Sequence, residues 1–245
     1  MTILERFREE FRKIAQREDL LSEEIQVEIK PLTAKQAIGL PERGDFPLQK
    51  GKERIIEAAF QGSKGQAFTD AFGEYRGRVA DLLELDLSDP FNAPVFVASA
   101  NAVLRHLGLV EGTVHCRDQE PGQCSTKLVD YLRANHPAAK SVALVGLQPA
   151  LAEALVPAYD LGIADLDPDN IGQKTAGALV RDGRRELEQV TASADLVLAT
   201  GSTLCNRSMD SIVAAAGGKP VVFFGISVAG AAKLLNLERY CPLGR

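Results

Sequence analysis

No stretch of this chain is at once long, apolar and uncharged. The opening MTILERFREEFRKIAQRED carries charges on most turns and lacks the apolar centre of a signal peptide, and no later segment could span a bilayer. A cytoplasmic protein with no membrane partner is expected. Basic runs are missing too: 28 Lys and Arg against 33 Asp and Glu leave a net charge of -5, which offers nucleic acid no footprint. Cysteine is scarce, at 4 in 245 residues, and a compartment that keeps thiols reduced does not pair them as structural disulfides. Metal or redox chemistry is what remains for them. The common catalytic signatures are absent as well. With no GxSxG elbow, HExxH helix or GxxxxGK phosphate loop, no catalytic residue can be named. No internal repeat or low-complexity tract occurs, and 45% hydrophobic residues suffice for a substantial core. Soluble proteins of this kind favour twofold homodimers.

What is present follows two rhythms. In the first half, Ile3, Leu4, Phe7, Phe11 and Ile14 recur at helical spacing over residues 2–19. Ile25, Val27 and Ile29 alternate as a half-buried strand that Pro31 should end, and strands Arg54–Phe60 and Gln66–Thr69 flank a Gly-Ser-Lys-Gly turn. Residues 74–85 and 94–107 read as helices. From about residue 140, apolar strands alternate with helices: SVALVG (141–146), helix 150–159, LGIADLD (161–167), helix 184–192, DLVLAT (195–200), helix 208–216, PVVFFG (220–225), helix 229–236. That alternation implies a parallel sheet covered on both faces. The predicted fold class is α/β, with an α+β domain over 1–112 and a Rossmann-like domain over 113–245, in which 113–139 form a connecting segment and helix.

Ligands of open parallel sheets bind beyond the carboxyl ends of the strands. Four such ends are GLQP (146–149), DLDPDN (165–170), TGSTLCN (200–206) and GIS (225–227). The third could cradle an oxyanion or phosphate through Gly201, Ser202, Thr203 and Asn206, and the same residues could simply cap the helix that follows. A dinucleotide fingerprint is missing, because GLQPAL lacks its second and third glycines. Asp165 lies where nucleotide folds place a ribose-binding acid, and it reads equally as a loop acid beside Pro168.

Cys116 and Cys124 sit in the polar stretch VHCRDQEPGQC, spaced too widely for a zinc knuckle. Arg117, Asp118, Gln119 and Glu120 around them indicate solvent. Cys205 belongs to a strand-end loop and Cys241 to a turn after the last helix, so all four thiols could converge at one crevice, with His115 as a substitute. Such a set suits zinc, another soft metal ion or an iron–sulfur cluster. Burial as small hydrophobes is the other fate of free cysteine, and it fits Cys205 best.

Taken together, VALVG (142–146), ADLVLATGSTLCNRSMDSIV (194–213) and VVFFGIS (221–227) resemble a Rossmann-like family named for heavy-metal chelation. GQAFT (65–69) and ASANAVLRH (98–106) resemble its enolase-N-terminal-like companion domain. The resemblance implies metal chelation, or a small anionic or nucleotide-like ligand, in a cleft lined by Gly146, Gln148, Gly201, Ser202, Thr203, Asn206, Gly225 and Ser227. Two positions depart from the family's pattern. Arg207 and Ser208 follow the signature asparagine where the family continues Gly-Thr, and Ile226 stands where the family has proline.

Overall fold

Helix α1 (Ile3–Arg17) buries the residues its spacing marks, Ile3, Leu4, Phe7, Phe11 and Ile14. Its start is a capping box: Thr2 Oγ1 accepts from the Glu5 amide, and the Glu5 carboxylate accepts from the Thr2 amide. The structure is a computed structural model describing residues 1–21, 26–42, 44–50 and 54–245. Ile25, assigned to a strand above, lies outside those residues.

Strand β1 (Gln26–Leu32) leads into helix α2 (Ala34–Ile38) and a short 3-10 turn, Pro47–Lys50. Contrary to expectation, Pro31 does not end β1. The later strand β4 pairs only with Gln26–Ile29, so Pro31 has a sheet partner on one side alone, where its missing N–H is tolerated. Strands β2 (Arg54–Phe60) and β3 (Ser63–Thr69) form the expected hairpin. The helix expected over 74–85 splits into strand β4 (Tyr75–Arg78) and helix α3 (Val79–Leu83), because pairing with β1 claims the backbone around Gly77, a weak helix former. Together these strands make an antiparallel sheet in the order β3-β2-β1-β4.

Helix α4 (Asn92–His106) lies across that sheet and is buried along nearly its whole length. The approach is closest at Gly65, where a Cβ would stand 2.3 Å from both the Ala98 carbonyl oxygen and the Ala102 amide. The small residues of ASANAV exist for this contact. Backbone cannot give way as a side chain can, so Gly65→Ala is expected to cost about 3 kcal/mol, the upper end of overpacking penalties, measured by chemical denaturation.

After α5 (Glu120–Asn135) come β5 (Ser141–Val145), α6 (Pro149–Leu155), β6 (Asp160–Asp165), β7 (Lys174–Thr175), β8 (Ala178–Asp182) and α7 (Leu187–Ala192). Then follow β9 (Leu196–Thr200), α8 (Ser202–Cys205), α9 (Met209–Ala216), β10 (Val221–Phe224), α10 (Ala229–Leu235) and β11 (Arg239–Tyr240). The second sheet runs β11-β10-β9-β5-β6-β8-β7, parallel except for β7. Strands β5, β6 and β8 step outward one way and β9, β10 and β11 the other, so order reverses between β5 and β9, the topological switch point of dinucleotide-binding folds.

Alternate residues of each strand bury opposite faces. Ala143, Val145, Val197, Ala199 and Phe223 share a core with α1, α4 and α10, whereas Val142, Leu144, Leu196, Leu198 and Val222 pack with α5 and α6. One apolar core therefore runs from the antiparallel sheet's helix into the parallel sheet. Asn101, fully buried on α4, fastens the junction. Its Nδ2 donates to the carbonyls of Ser227 at 3.1 Å and Ile226 at 3.3 Å, and its Oδ1 accepts from the Gly230 amide at 2.8 Å. Among the described residues no helix is long and apolar enough to cross a membrane.

Candidate functional site

A cavity of about 860 Å³ opens along the carboxyl ends of the parallel strands, and the antiparallel half closes it with Ile38, Phe46, Leu48 and Phe68. At its centre is the switch point. Gly146 takes φ +87° at the end of β5, and a Cβ there would stand 2.4 Å from Thr200 Cγ2, so glycine is what lets the ends of β5 and β9 meet.

The strand-end residues divide by role. Gly146, Gln148, Asp165, Ser202, Asn206, Gly225 and Ser227 line the cavity. Thr203 is buried, and its hydroxyl donates to the Thr200 carbonyl at 2.7 Å, while buried Gly201 packs against Val228. Asp165 is occupied by the fold: its carboxylate accepts from the amides of Leu147 at 2.5 Å and Asp167 at 2.7 Å, tying the β5 and β6 loops together. Gln148 Oε1 caps α6 by accepting from the Leu151 amide at 2.7 Å, and Asn206 Oδ1 accepts from Ser208. Ser227 Oγ accepts from the Phe68 amide at 3.0 Å, joining the two halves. Ser202 is the least committed, with Thr200 Oγ1 at 3.2 Å from its hydroxyl.

All four cysteines line this cavity, none in a disulfide. The solvent-facing loop expected around Cys116 and Cys124 is not what forms. Gln66 fixes the connector by donating its amide to the Thr113 carbonyl and accepting from the His115 amide through Oε1. On the connector's other side, Val114 and Arg245 exchange two backbone bonds of 2.8 Å. Glu120 ties the same pieces, accepting from the Arg117 amide at 2.7 Å and the Arg245 guanidinium at 2.8 Å. Asp118 and Gln119 take the solvent side while Cys116 turns inward to 7% exposure. Cys124 lies not in a loop but on α5, half-buried, and Cys241 is brought in by the segment clasped to Val114.

Three thiols from three separate segments thus line the cavity within electrostatic reach of one another. Burial raises the pKa of Cys116 far above the ordinary thiol value, and the neighbouring Cys124 and Cys241 raise it further. Burial, with Cys241 adding to it, pushes Cys124 up to about 11. Tyr240, whose hydroxyl donates to the Cys124 carbonyl at 2.6 Å, is raised likewise, by burial and then by Cys124. Cys205, at the end of α8, lines the cavity and also packs into the apolar core shared with α1 and α4. His115 is held neutral by burial, and Nδ1 lies 2.6 Å from the Cys116 carbonyl, which places the proton there and leaves Nε2 its lone pair. Among the described residues no three His, Cys, Asp or Glu side chains already form a metal cage.

A pH effect follows. Cys124 is neutral in the fold up to about pH 11, whereas the unfolded thiol ionises from an ordinary value of 9. Its raised pKa supports the fold below pH 9 and stops doing so as pH climbs towards 11. Thermal unfolding temperature should fall across that window, and ultraviolet titration of thiolate should show a late-ionising thiol.

Sequence reading did not find the antiparallel half's wall, Tyr240 or the clasp. Only the folded chain brings these together, and no local motif announces them.

Comparison with known proteins gives a family match over part of the chain and a likeness of fold. Residues 129–237 match the model of the DUF364 family, described as "Putative heavy-metal chelation". No curated protein matches the chain. A crystal structure of a DUF364 protein of unknown function from Pyrococcus horikoshii is similar with a TM-score of 0.56 and 12% identity, over 92% of this chain and 80% of that one. A second, from Desulfitobacterium hafniense DCB-2, gives a TM-score of 0.49 and 16% identity over 74% and 72% of the two chains. At the first of these identities the likeness is one of fold.

Proposed function

Residues 129–237 match the DUF364 family model, described as "Putative heavy-metal chelation", and we propose that this protein binds a soft metal ion through the thiolates of Cys116, Cys124 and Cys241. One observation carries the reading. Three cysteines from a connector, a helix and a clasped segment line one large cavity, where Cys124 and Cys241 both disfavour ionisation of Cys116 and Cys241 disfavours that of Cys124. Sulfur is the donor that selects soft metals, and metal charge relieves what keeps these thiols protonated. The donor chemistry fits. His115, neutral and with Nε2 unprotonated, supplies a fourth donor, its ring oriented by the Cys116 carbonyl as metal-bound histidines are oriented by backbone acceptors.

Binding displaces protons, so affinity should rise steeply with pH through the neutral range. The test is titration of the reduced, metal-free protein with Cd²⁺, following sulfur-to-cadmium charge-transfer absorbance and proton release together. One equivalent, with the intensity of three thiolates and about three protons released, is the expected result. A flat titration would sink the reading.

Loosening the clasp gives a second check. Arg245→Ala removes the guanidinium bond to Glu120 and should weaken cadmium binding by about 10-fold, in the range of lost supporting contacts, with little change in unfolding temperature.

A further inference from the structure

The cavity is far larger than a metal ion requires. Its volume of about 860 Å³ lies among those of pockets that enclose small organic molecules, whereas one water takes up about 30 Å³. Its lining also changes character along the sheet. Cys241 follows β11 at the sheet's edge and acts electrostatically on Cys116 of the connector and Cys124 of α5. Phe46, Leu48, Phe68 and Leu147 give apolar surface, and Thr200, Ser202 and Arg207 present hydroxyls and a guanidinium at the switch point beside β9.

Arg207 is the unusual member. It has φ +65°, a left-handed conformation open to glycine and unfavourable for arginine. Its side chain is anchored by donation to the Ser88 carbonyl across the junction. Among the described residues its guanidinium makes no ion pair, although its charge reaches Asp86. The carboxylate of Asp165, also on the cavity, is already bound to the Leu147 and Asp167 amides. A held guanidinium that makes no ion pair among the described residues, on the same cavity as the Thr200 and Ser202 hydroxyls, has the chemistry to receive a carboxylate or similar oxyanion.

We infer that the cavity takes its metal not bare but as the complex of a small organic chelator bearing carboxylates, with the metal at the thiol end and a carboxylate on Arg207 at the switch point. This rests on the metal-binding reading above. No bond in the chelator breaks: protein thiolates join or replace donors on the metal, their protons pass to solvent, and the organic anion stays against Arg207 and Ser202.

The test uses the full-length protein in equilibrium dialysis, with Cd²⁺ supplied alone, with citrate and with glutathione, and with each chelator also offered without metal. Metal and chelator are measured separately on the protein side. The expected result is stoichiometric retention of citrate or glutathione only when cadmium is present. Arg207→Gln should weaken that retention at least tenfold and leave binding of Cd²⁺ alone unchanged, and Arg207→Lys should recover part of it. Unfolding temperatures check that both variants are folded. Cadmium held while both chelators stay in solution would overturn the inference and leave the metal reading standing, as would equal retention by Arg207→Gln. Chelator bound equally without metal would also overturn it, assigning the cavity to an anion alone. Failure of cadmium to bind in any form would remove the metal reading itself.

Discussion

Cys124→Ser is expected to weaken cadmium binding by at least about 100-fold, beyond the roughly 10- to 100-fold effect of disturbing a ligand's supporting contacts. Cys116→Ser and Cys241→Ser should do the same, because the three sulfurs act as one donor set and the loss of any one leaves two. The charge-transfer intensity per cadmium should drop by a third in each variant, which separates a lost ligand from a general loosening. Cys205→Ala should change neither affinity nor intensity, since that side chain packs into the core around α4 rather than joining the three-thiol set. The variants should also differ as apo proteins. Removing Cys124 takes away a thiol pushed up to about 11, so the stability lost between pH 9 and 11 in the parent should shrink in Cys124→Ser.

The largest effect on stability is expected at Asn101. Substitution by alanine strands the Gly230 amide and the Ser227 carbonyl inside the core, with the Ile226 carbonyl losing its donor as well. Unsatisfied buried groups cost about 1–3 kcal/mol each, and these three lie close together between the end of β10 and the first turn of α10, so about 3 kcal/mol or more in denaturant unfolding is the expected total. The damage should reach the site. The Ser227 hydroxyl that accepts from Phe68 lines the cavity from the same segment, so Asn101→Ala should lower cadmium affinity even where the protein remains folded.

Much of the parallel half was legible because its strands are apolar runs bounded by helices with caps and glycines. SVALV, LVLAT and VVFF bury both faces, and that pattern leaves few alternatives. Strand β8 escaped notice because ALVRD is short and half polar, sitting near the sheet's edge with only β6 and the two residues of β7 as neighbours. The antiparallel half was harder. β4, spelled YRGR, carries almost no apolar signal and is held by its pairing with β1.

The crevice could be located from strand ends alone, but the behaviour of its residues could not. Asp165 and Gln148 look like ligand contacts in sequence, yet their oxygens hold neighbouring amides. Cys116 looks solvent-facing among Arg117, Asp118 and Gln119, and it is buried by a backbone clasp from a segment far along the chain. Such long-range pairings leave no trace in local spacing, which is why the sequence could nominate the thiols without saying which would meet.

The most direct measurement is the X-ray absorption spectrum of the zinc-loaded protein. The account predicts a shell of three sulfur scatterers at about 2.3 Å, completed by one lighter donor. A shell of oxygen and nitrogen alone, at about 2.0–2.1 Å, would contradict it.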